Sequence, residues 1–356
     1  ALEDIELLSN TSITYRQATV QALSHIGLDE DAISRVLSIS QAVVEAELKA
    51  VNTTARSMQD AVEVLDVPKR GLSVLDLDPH SRRWLGLEWS DWYELSDRDQ
   101  LLSRLPKQPG LYRVRHNRME SLCYVGESGA NGGLRERVGL ELAAGLDETD
   151  GQSRSRHNAT LSLGEIRETL EGELEVSIST PPIAANKRHR RSIEAALVAT
   201  ARRKTGQTPL VMLNRNPVRE ADSLESLTNS SEIGVGRSYP VPSWDSWRNV
   251  FDEYWMGLDW TEPRKLSRRT SIETSRTYAY RTWGPEKRSN SRTGKLTVVG
   301  TTEIPVSRLF DLQNKYDSDH FFSVAELSSL SDLADEREKQ LREVKYDLIG
   351  AHYLAT

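Results

Sequence analysis

Two short runs, GLYRVRH at 110–116 and SLCYVGE at 121–127, each set a tyrosine beside a glycine. Only the polar turn His116–Glu120 separates them. Apolar and aromatic runs of this length, bounded by a polar turn, read as an antiparallel β-hairpin. Alternate side chains share a face on neighbouring strands. Tyr112 and Tyr124 can therefore present two phenols to one spot. Two tyrosines alone are equally well an ordinary cross-strand pair, so the meaning of the hairpin depends on the elements C-terminal to it.

After YVG comes a Gly-rich loop, ESGANGG, and then a helix over Leu134–Ala144 that carries Arg135 and Arg137 in LRERV. A second helix starts at Asn158 or Thr160, runs to about Leu170 and is ended by Gly172. ELEVSIST (173–180) alternates as a strand does and stops at Pro181-Pro182. Asn186–Lys204 reads as a long helix and Leu210–Leu213 as a short strand ending at Asn214. The order ββααβαβ predicts an α+β domain over 109–217, a small mixed sheet flanked by helices. One acid, Glu194, sits in RRSIEAALVA on a helix whose other charges are basic. A surface ion pair with Arg190 or Arg191 is the commoner use of such a residue. Its neighbours Ile193, Ala195 and Ala196, however, suit a cleft wall. Cys123, out of phase with Tyr124, reads as packing.

Taken in order, GLY (110–112), YVG (124–126), LRERV, the lone Glu194 and LNRNP resemble the GIY-YIG nuclease family over about a third of the chain. The resemblance implies hydrolysis of DNA phosphodiesters with one divalent metal, Mg2+ or Mn2+. It implies that Tyr112 deprotonates the attacking water and that Tyr124 positions water and phosphate. Arg137 would steady the phosphate, Glu194 bind the metal, and Asn214 close the domain. Phosphoryl transfer needs cations aimed at the developing charge, and arginine's planar fork suits phosphate oxygens. A phenol with a pKa of about 10 is a poor base unless a nearby cation stabilises the phenolate. The sequence departs from the family pattern in three places. The loop before Leu134 is long. Glu141 stands where many members carry a histidine or tyrosine, leaving His157 as the candidate substitute. Glu127 follows YVG, where it could bind metal or pair with Arg135.

The flanks set the remaining expectations. Residues 14–27 and 29–50 read as helices within a helical region, 1–66, that resembles a helix-turn-helix; Glu45 and Glu47 on its last helix argue against base contact. Residues 67–108 read as a connection, with Trp84, Trp89 and Trp92 covering an apolar surface. A polar linker, 218–236, leads to a separate α/β module, 237–356, in which LTVVGTTEIPVSRLF is a strand with a turn and Val324–Tyr353 a helical tail. No internal repeat is evident. Net charge is −7, which by itself disfavours a nucleic-acid partner. Yet 261–297 holds 10 basic against 3 acidic residues, with Tyr278, Tyr280 and Trp283 interleaved, and such a pattern suits phosphate contact plus base stacking. Trp244, Trp247 and Trp255 read as core. The candidate DNA contacts are Arg135, Lys187, Arg188, Arg190, Arg191, Arg264, Lys265, Arg268, Arg269, Lys287 and Arg288.

One cysteine excludes a disulfide framework or a cysteine-built zinc site, no run of eighteen apolar residues occurs, and the acidic start is no secretory signal; a cytoplasmic protein is expected. The reading as a whole is a metal-dependent restriction or defence endonuclease acting on double-stranded DNA, as a homodimer at least on DNA. A repair nuclease and a catalytically idle DNA-binding protein are the alternatives.

Overall fold

The computed structural model of the 356-residue chain describes residues 29–37, 41–45, 76–129, 132–147, 157–220, 238–267, 272, 276–284, 295–316 and 319–355. The chain divides into two compact units, Ala1–Asp66 and Val67–Thr356. In the first, helix α1 (Glu30–Leu37) begins where the Asp29 carboxylate accepts the Ala32 N–H at 2.8 Å, with Glu30 and Asp31 in the first turn. Both features satisfy the exposed N–H groups and positive dipole of a helix start. Residues 41–45 are also helical. The expected helix at 14–27 lies outside the described residues, as do residues 38–40 and 46–50 of the expected helix at 29–50. Among the described residues no helix is long and apolar enough to cross a membrane.

The second unit is α+β. Its first part runs β1 (Tyr93–Glu94), α2 (Arg98–Arg104), β2 (Gly110–His116), β3 (Tyr124–Ser128), α3 (Arg135–Ala143, wound as a π-helix), α4 (Thr160–Thr169), β4 (Leu174–Ser179) and α5 (Lys187–Thr205). The sheet order is β1-β4-β2-β3. Every pairing is antiparallel, so the expected mixed sheet is corrected. The residues 210–213 are not a strand either. Leu210 and Val211 donate to the carbonyls of Leu122 and Cys123, and a 3-10 turn, Met212–Asn214, comes next. Nor is 67–108 mere connection, since it supplies β1, α2 and a tryptophan layer. Tyr112 and Val114 face a core shared with Leu134, Val138 and Leu142 of the α3 segment and Leu163 and Ile166 of α4. Helix α5 is bounded as its sequence dictates. Asn186 accepts the Arg188 and His189 N–H groups at its start, and Gly206 at φ 81° ends it.

The second part repeats the plan. It runs β5 (Arg264–Lys265), β6 (Tyr278–Gly284), β7 (Lys295–Thr302), α6 (Pro305–Lys315), β8 (Phe321–Glu326) and α7 (Ala334–Ala355), with sheet order β5-β8-β6-β7. Val324, expected in a helical tail, is therefore in a strand, and the Pro305 segment is a helix. The likeness extends to single residues. Tyr112 pairs with Gly126 and Ile178; Tyr280 pairs with Gly300 and Val324. Ser90 exchanges backbone and side-chain bonds with Ile178 (2.9 and 3.0 Å), as Thr261 does with Val324 (2.8 and 3.1 Å).

The closest correspondence is a tryptophan turn. In both WLGLEW (84–89) and WMGLDW (255–260) the second and third residues take positive φ: Leu85 58° and Gly86 72°, Met256 56° and Gly257 66°. A left-handed leucine or methionine costs roughly 1–2 kcal/mol. The turn is held by the later indole, which donates to the carbonyl of the earlier tryptophan at 3.1 Å (Trp89 to Trp84) and 2.8 Å (Trp260 to Trp255). Each turn covers a buried arginine on the central strand. The Arg113 guanidinium lies 4.4 Å from the Trp89 ring centroid and that of Arg281 4.3 Å from Trp260. Burial pushes both guanidinium groups down to about 9. The internal repeat that the sequence reading missed is thus a duplicated α+β fold.

The copies meet through α5 and α7, which pack antiparallel. His189 meets Tyr353 edge to face, Gly350 approaches Ala195 and Ala196, and Arg202 bonds Asp347. Arg202 is wholly buried and also donates to Thr208 Oγ1 (2.9 Å) and the Tyr239 carbonyl (2.8 Å). Arg215 reaches Glu343 at 3.2 Å and Glu336 at 3.0 Å. The module at 237–356, expected to be separate, is thus fixed to the first copy by buried ion pairs.

Candidate functional site

The hairpin brings its two phenols together. The Tyr112 and Tyr124 rings stack with centroids 5.9 Å apart, and the two phenols hydrogen-bond. Gly126 makes this possible. A Cβ there would stand 2.5 Å from Tyr112 Cζ and Oη, so the ring lies across a strand position that tolerates no side chain. Tyr112 is 1% exposed and Tyr124 half-buried, so Tyr124 is the phenol nearer solvent.

His157, at the mouth of α4, completes the cluster. Its Nε2 is 2.6 Å from Tyr112 Oη, and its ring centroid is 5.2 Å from that of Tyr124. The Ala159 N–H donates to Nδ1 at 3.2 Å. A neutral ring that accepts at Nδ1 carries its proton on Nε2, so His157 donates to Tyr112. Burial, with Arg137 nearby, pushes its pKa down to about 3, which keeps the ring neutral.

Arg137 lies on the face of α3 that meets the hairpin and hydrogen-bonds the Tyr112 phenol. It also pairs with Glu141 at 2.5 Å. The Glu141 position thus serves to hold the arginine. Burial, and then Tyr124, raises the Tyr112 pKa well above its ordinary value, while Arg137 opposes the rise. Burial pushes Tyr124 up to about 12, with Glu194 next among the causes.

Glu194 faces the same place from α5. It is half-buried, and its carboxylate makes no hydrogen bond or ion pair with any described residue. Burial, and then the nearby Glu127 carboxylate, pushes its pKa up to about 8. Glu127 itself is engaged by Arg190 (2.5 Å) and Arg191 (3.4 Å), not by Arg135 as one expectation had it.

Tyr346 was not foreseen. It projects from α7 of the second copy, and Glu194 and Tyr124 rank after burial among the causes that raise its pKa. It lies near enough to Glu194 and Tyr124 for their charges to act on it. No local motif marks it, because it arrives through the packing of α7 on α5.

Other expected residues fall elsewhere. Asn214 is exposed, at φ 59°, with no hydrogen bond to the cluster. Arg190 is 4% exposed and donates to Glu127 and the Ala184 carbonyl, so its charge is spent inside the fold. Arg135 is half-buried, while Lys187, Arg188 and Arg191 are exposed. Arg264 and Lys265 are exposed on β5, whereas Arg268, Arg269, Lys287 and Arg288 lie outside the described residues. The interleaved aromatics Tyr278, Tyr280 and Trp283 are buried core, as are Trp244, Trp247 and Trp255. Stacking on bases is closed to all six. Cys123 is buried packing, its thiol pushed up to about 12 by burial.

Among the described residues, no cluster of three or more His, Cys, Asp or Glu is placed to hold a metal ion. No family model matches the chain, and neither the curated proteins nor the solved structures hold a significant match.

Proposed function

We propose that the Tyr112–Tyr124–His157–Arg137–Glu194 cluster is the active site of a metal-dependent DNA endonuclease of the GIY-YIG kind. The observation that carries the reading is Glu194: a carboxylate beside two phenols and an arginine, without a partner among the described residues and pushed up to about 8. Such a group is short of a cation. One carboxylate and open solvent suit a hard ion held mostly by water and phosphate, such as Mg2+ or Mn2+. When bound, that ion supplies Lewis-acid charge stabilisation and lowers the pKa of nearby water.

The chain's own residues supply the rest. Arg137 offers its fork to a phosphate oxygen while bonding Tyr112. Tyr124, the phenol nearer solvent, would contact the attacking water; once Tyr112 has lost its own proton to solvent through Tyr124, the Tyr112 phenolate would take up the water's proton relayed by Tyr124. His157 and Arg137 both donate to Tyr112 Oη, which favours phenolate there once positive charge enters the pocket. Tyr346 narrows the pocket beside Glu194. Exposed Lys187, Arg188 and Arg191 at the start of α5 face the incoming backbone, where the helix dipole already favours an anion.

The test is supercoiled plasmid in Mg2+ or Mn2+. Wild-type protein converts it to open circles; Tyr112→Phe and Glu194→Ala do not, although both keep the wild-type circular-dichroism spectrum and bind duplex. Equal nicking by wild type and both variants would sink the reading.

A further inference from the structure

We infer that the second sheet carries a further phosphate-binding site, one that grips the backbone of double-stranded DNA without hydrolysing it. Its ligand class rests on the reading of the first sheet as a nuclease site. The binding elements of the first site recur on the second sheet. Arg308 on α6 donates from Nε to the Tyr280 phenol at 2.7 Å, as Arg137 bonds Tyr112, and its guanidinium lies 4.9 Å from the Tyr280 ring centroid. Gly300 gives that phenol room, since a Cβ there would stand 2.6 Å from Tyr280 Oη. The terminal nitrogens of Arg308 are left toward solvent, with Asp311 at 3.9 Å as their nearest acid. A planar guanidinium pinned at one edge and open at the other is suited to a phosphate oxygen.

The hydrolytic elements do not recur. Val298 holds the strand position of Tyr124, pairing with Thr282 as Tyr124 pairs with Val114. Ile178 leads to Glu194 sixteen residues on, and the same step from Val324 reaches Gln340. The Gln340 side chain is occupied in accepting the Ser331 N–H at 2.7 Å. This phenol–arginine pair has no glutamate at the place matching Glu194, and Asp311, the acid beside it, lies against the arginine, so the pair suits an anion better than a divalent ion.

Duplex DNA is favoured over other phosphate carriers by the way the copies are joined. Equivalent helices α5 and α7 pack antiparallel, as they do in copies related by a local twofold. The strands of a duplex are related by twofold axes as well, so paired sites fit phosphates of opposite strands. One chain then holds both strands and cuts one.

The test is binding of a short labelled duplex by the full chain in EDTA, followed by anisotropy over a range of salt. Arg308→Ala is expected to weaken binding about fivefold and lower the salt slope by about 1, the loss of one phosphate contact. Arg308→Lys restores the slope. Asp311→Asn removes an exposed acid beside Arg308 without touching the core and is expected to tighten binding about twofold. It decides the matter if Arg308→Ala does not fold. Superimposable salt plots for wild type and Arg308→Ala, or no gain with Asp311→Asn, would overturn the second site. An Arg308-dependent slope in a protein that never nicks plasmid would instead overturn the nuclease reading and leave this site standing as a duplex clamp.

Discussion

The two sheets of the second unit share a frame and differ in chemistry. Both set a tyrosine across a glycine, bury an arginine under a tryptophan turn, and bond an arginine to the tyrosine phenol. Only the first adds a second tyrosine and a helical glutamate; the second has Val298 and Gln340 at the matching places. The tyrosine–glycine contact and the covered arginine are therefore demands of the fold, since they occur where Tyr124 and Glu194 have no counterpart. What sets the first copy apart is the charge-bearing set added to that frame.

The sharpest way to break the contrast is to make the first copy resemble the second. Glu194→Gln removes the carboxylate of the cluster that has no partner among the described residues and gives that position the side chain found at 340. Plasmid nicking should fall about 10³-fold or more, equivalent to about 4 kcal/mol of barrier, with melting temperature equal to or above wild type. Nicking within tenfold of wild type would mean that the two copies do not differ where they are argued to.

The next largest effect is on the joint between the copies. Arg202→Met leaves Asp347 without its cation and deprives Glu343 of one of its two arginines, both carboxylates being wholly buried. Breaking such a network by removing one partner costs about 3–5 kcal/mol, read by urea unfolding. Burial pushes Asp347 up to about 6 even with Arg202 present. The cost should therefore be smaller at pH 5, where the orphaned acid takes up a proton, than at pH 8. Equal cost at both would show that water reaches the site.

The frame itself predicts parity. Arg113→Met and Arg281→Met each remove a guanidinium from beneath the tryptophans, together with its bonds to Pro79 O in one case and Val250 O and Asp252 O in the other. Each should cost about 2–3 kcal/mol, and the two values should agree within about 1 kcal/mol. A cost confined to Arg113 would mark the second tryptophan turn as ornamental to the fold.

Much of the first copy was legible because its signals are local. The hairpin, α4, β4 and α5 can be read from alternation, from Asn186 before the helix and from Gly206 after it. Glu194 and His157 stood out as an acid on a basic helix and a histidine at a helix mouth. Strand β1 was not legible, because two residues, Tyr93 and Glu94, cannot show alternation. The second copy carried a readable sign in WLGLEW and WMGLDW, identical at four of six positions, each with a Tyr-Arg pair on a strand downstream. The sign is faint because the tryptophans look like generic core and the tyrosine–glycine spacing changes from fourteen to twenty residues. The basic clusters misled for a physical reason. Arg190, Arg202 and Arg281 are buried, where their charge meets carboxylates, carbonyls or indole rings, and sequence alone does not separate such arginines from exposed ones.

The smallest predicted effect tests whether acid acts on the first copy through His157. Its pKa is about 3 in the folded protein and about 6.5 in the unfolded chain. The unfolded state therefore binds the proton more readily, and stability is lost as pH falls from 6.5 toward 3. Between pH 7 and pH 5 the linkage amounts to about 2 kcal/mol from this residue. His80 and His116, around the same sheet, are lowered in the same direction by burial, while Glu194 and Asp347, raised by burial to about 8 and about 6, act in the opposite direction, so it is the difference between variant and wild type that reports His157. His157→Asn cannot take up a proton at that position. Its stability at pH 7 should be lower, because the bond to Tyr112 goes, but its loss between pH 7 and pH 5 should be about 2 kcal/mol smaller than that of wild type by guanidinium unfolding. If variant and wild type lose the same amount, His157 titrates in the fold as it does in the unfolded chain, near 6.5, and is protonated at pH 5 in both states. Both ring nitrogens would then be donors, the Ala159 N–H would have no acceptor there, and the direction of the proton relay through Tyr112 would have to be redrawn.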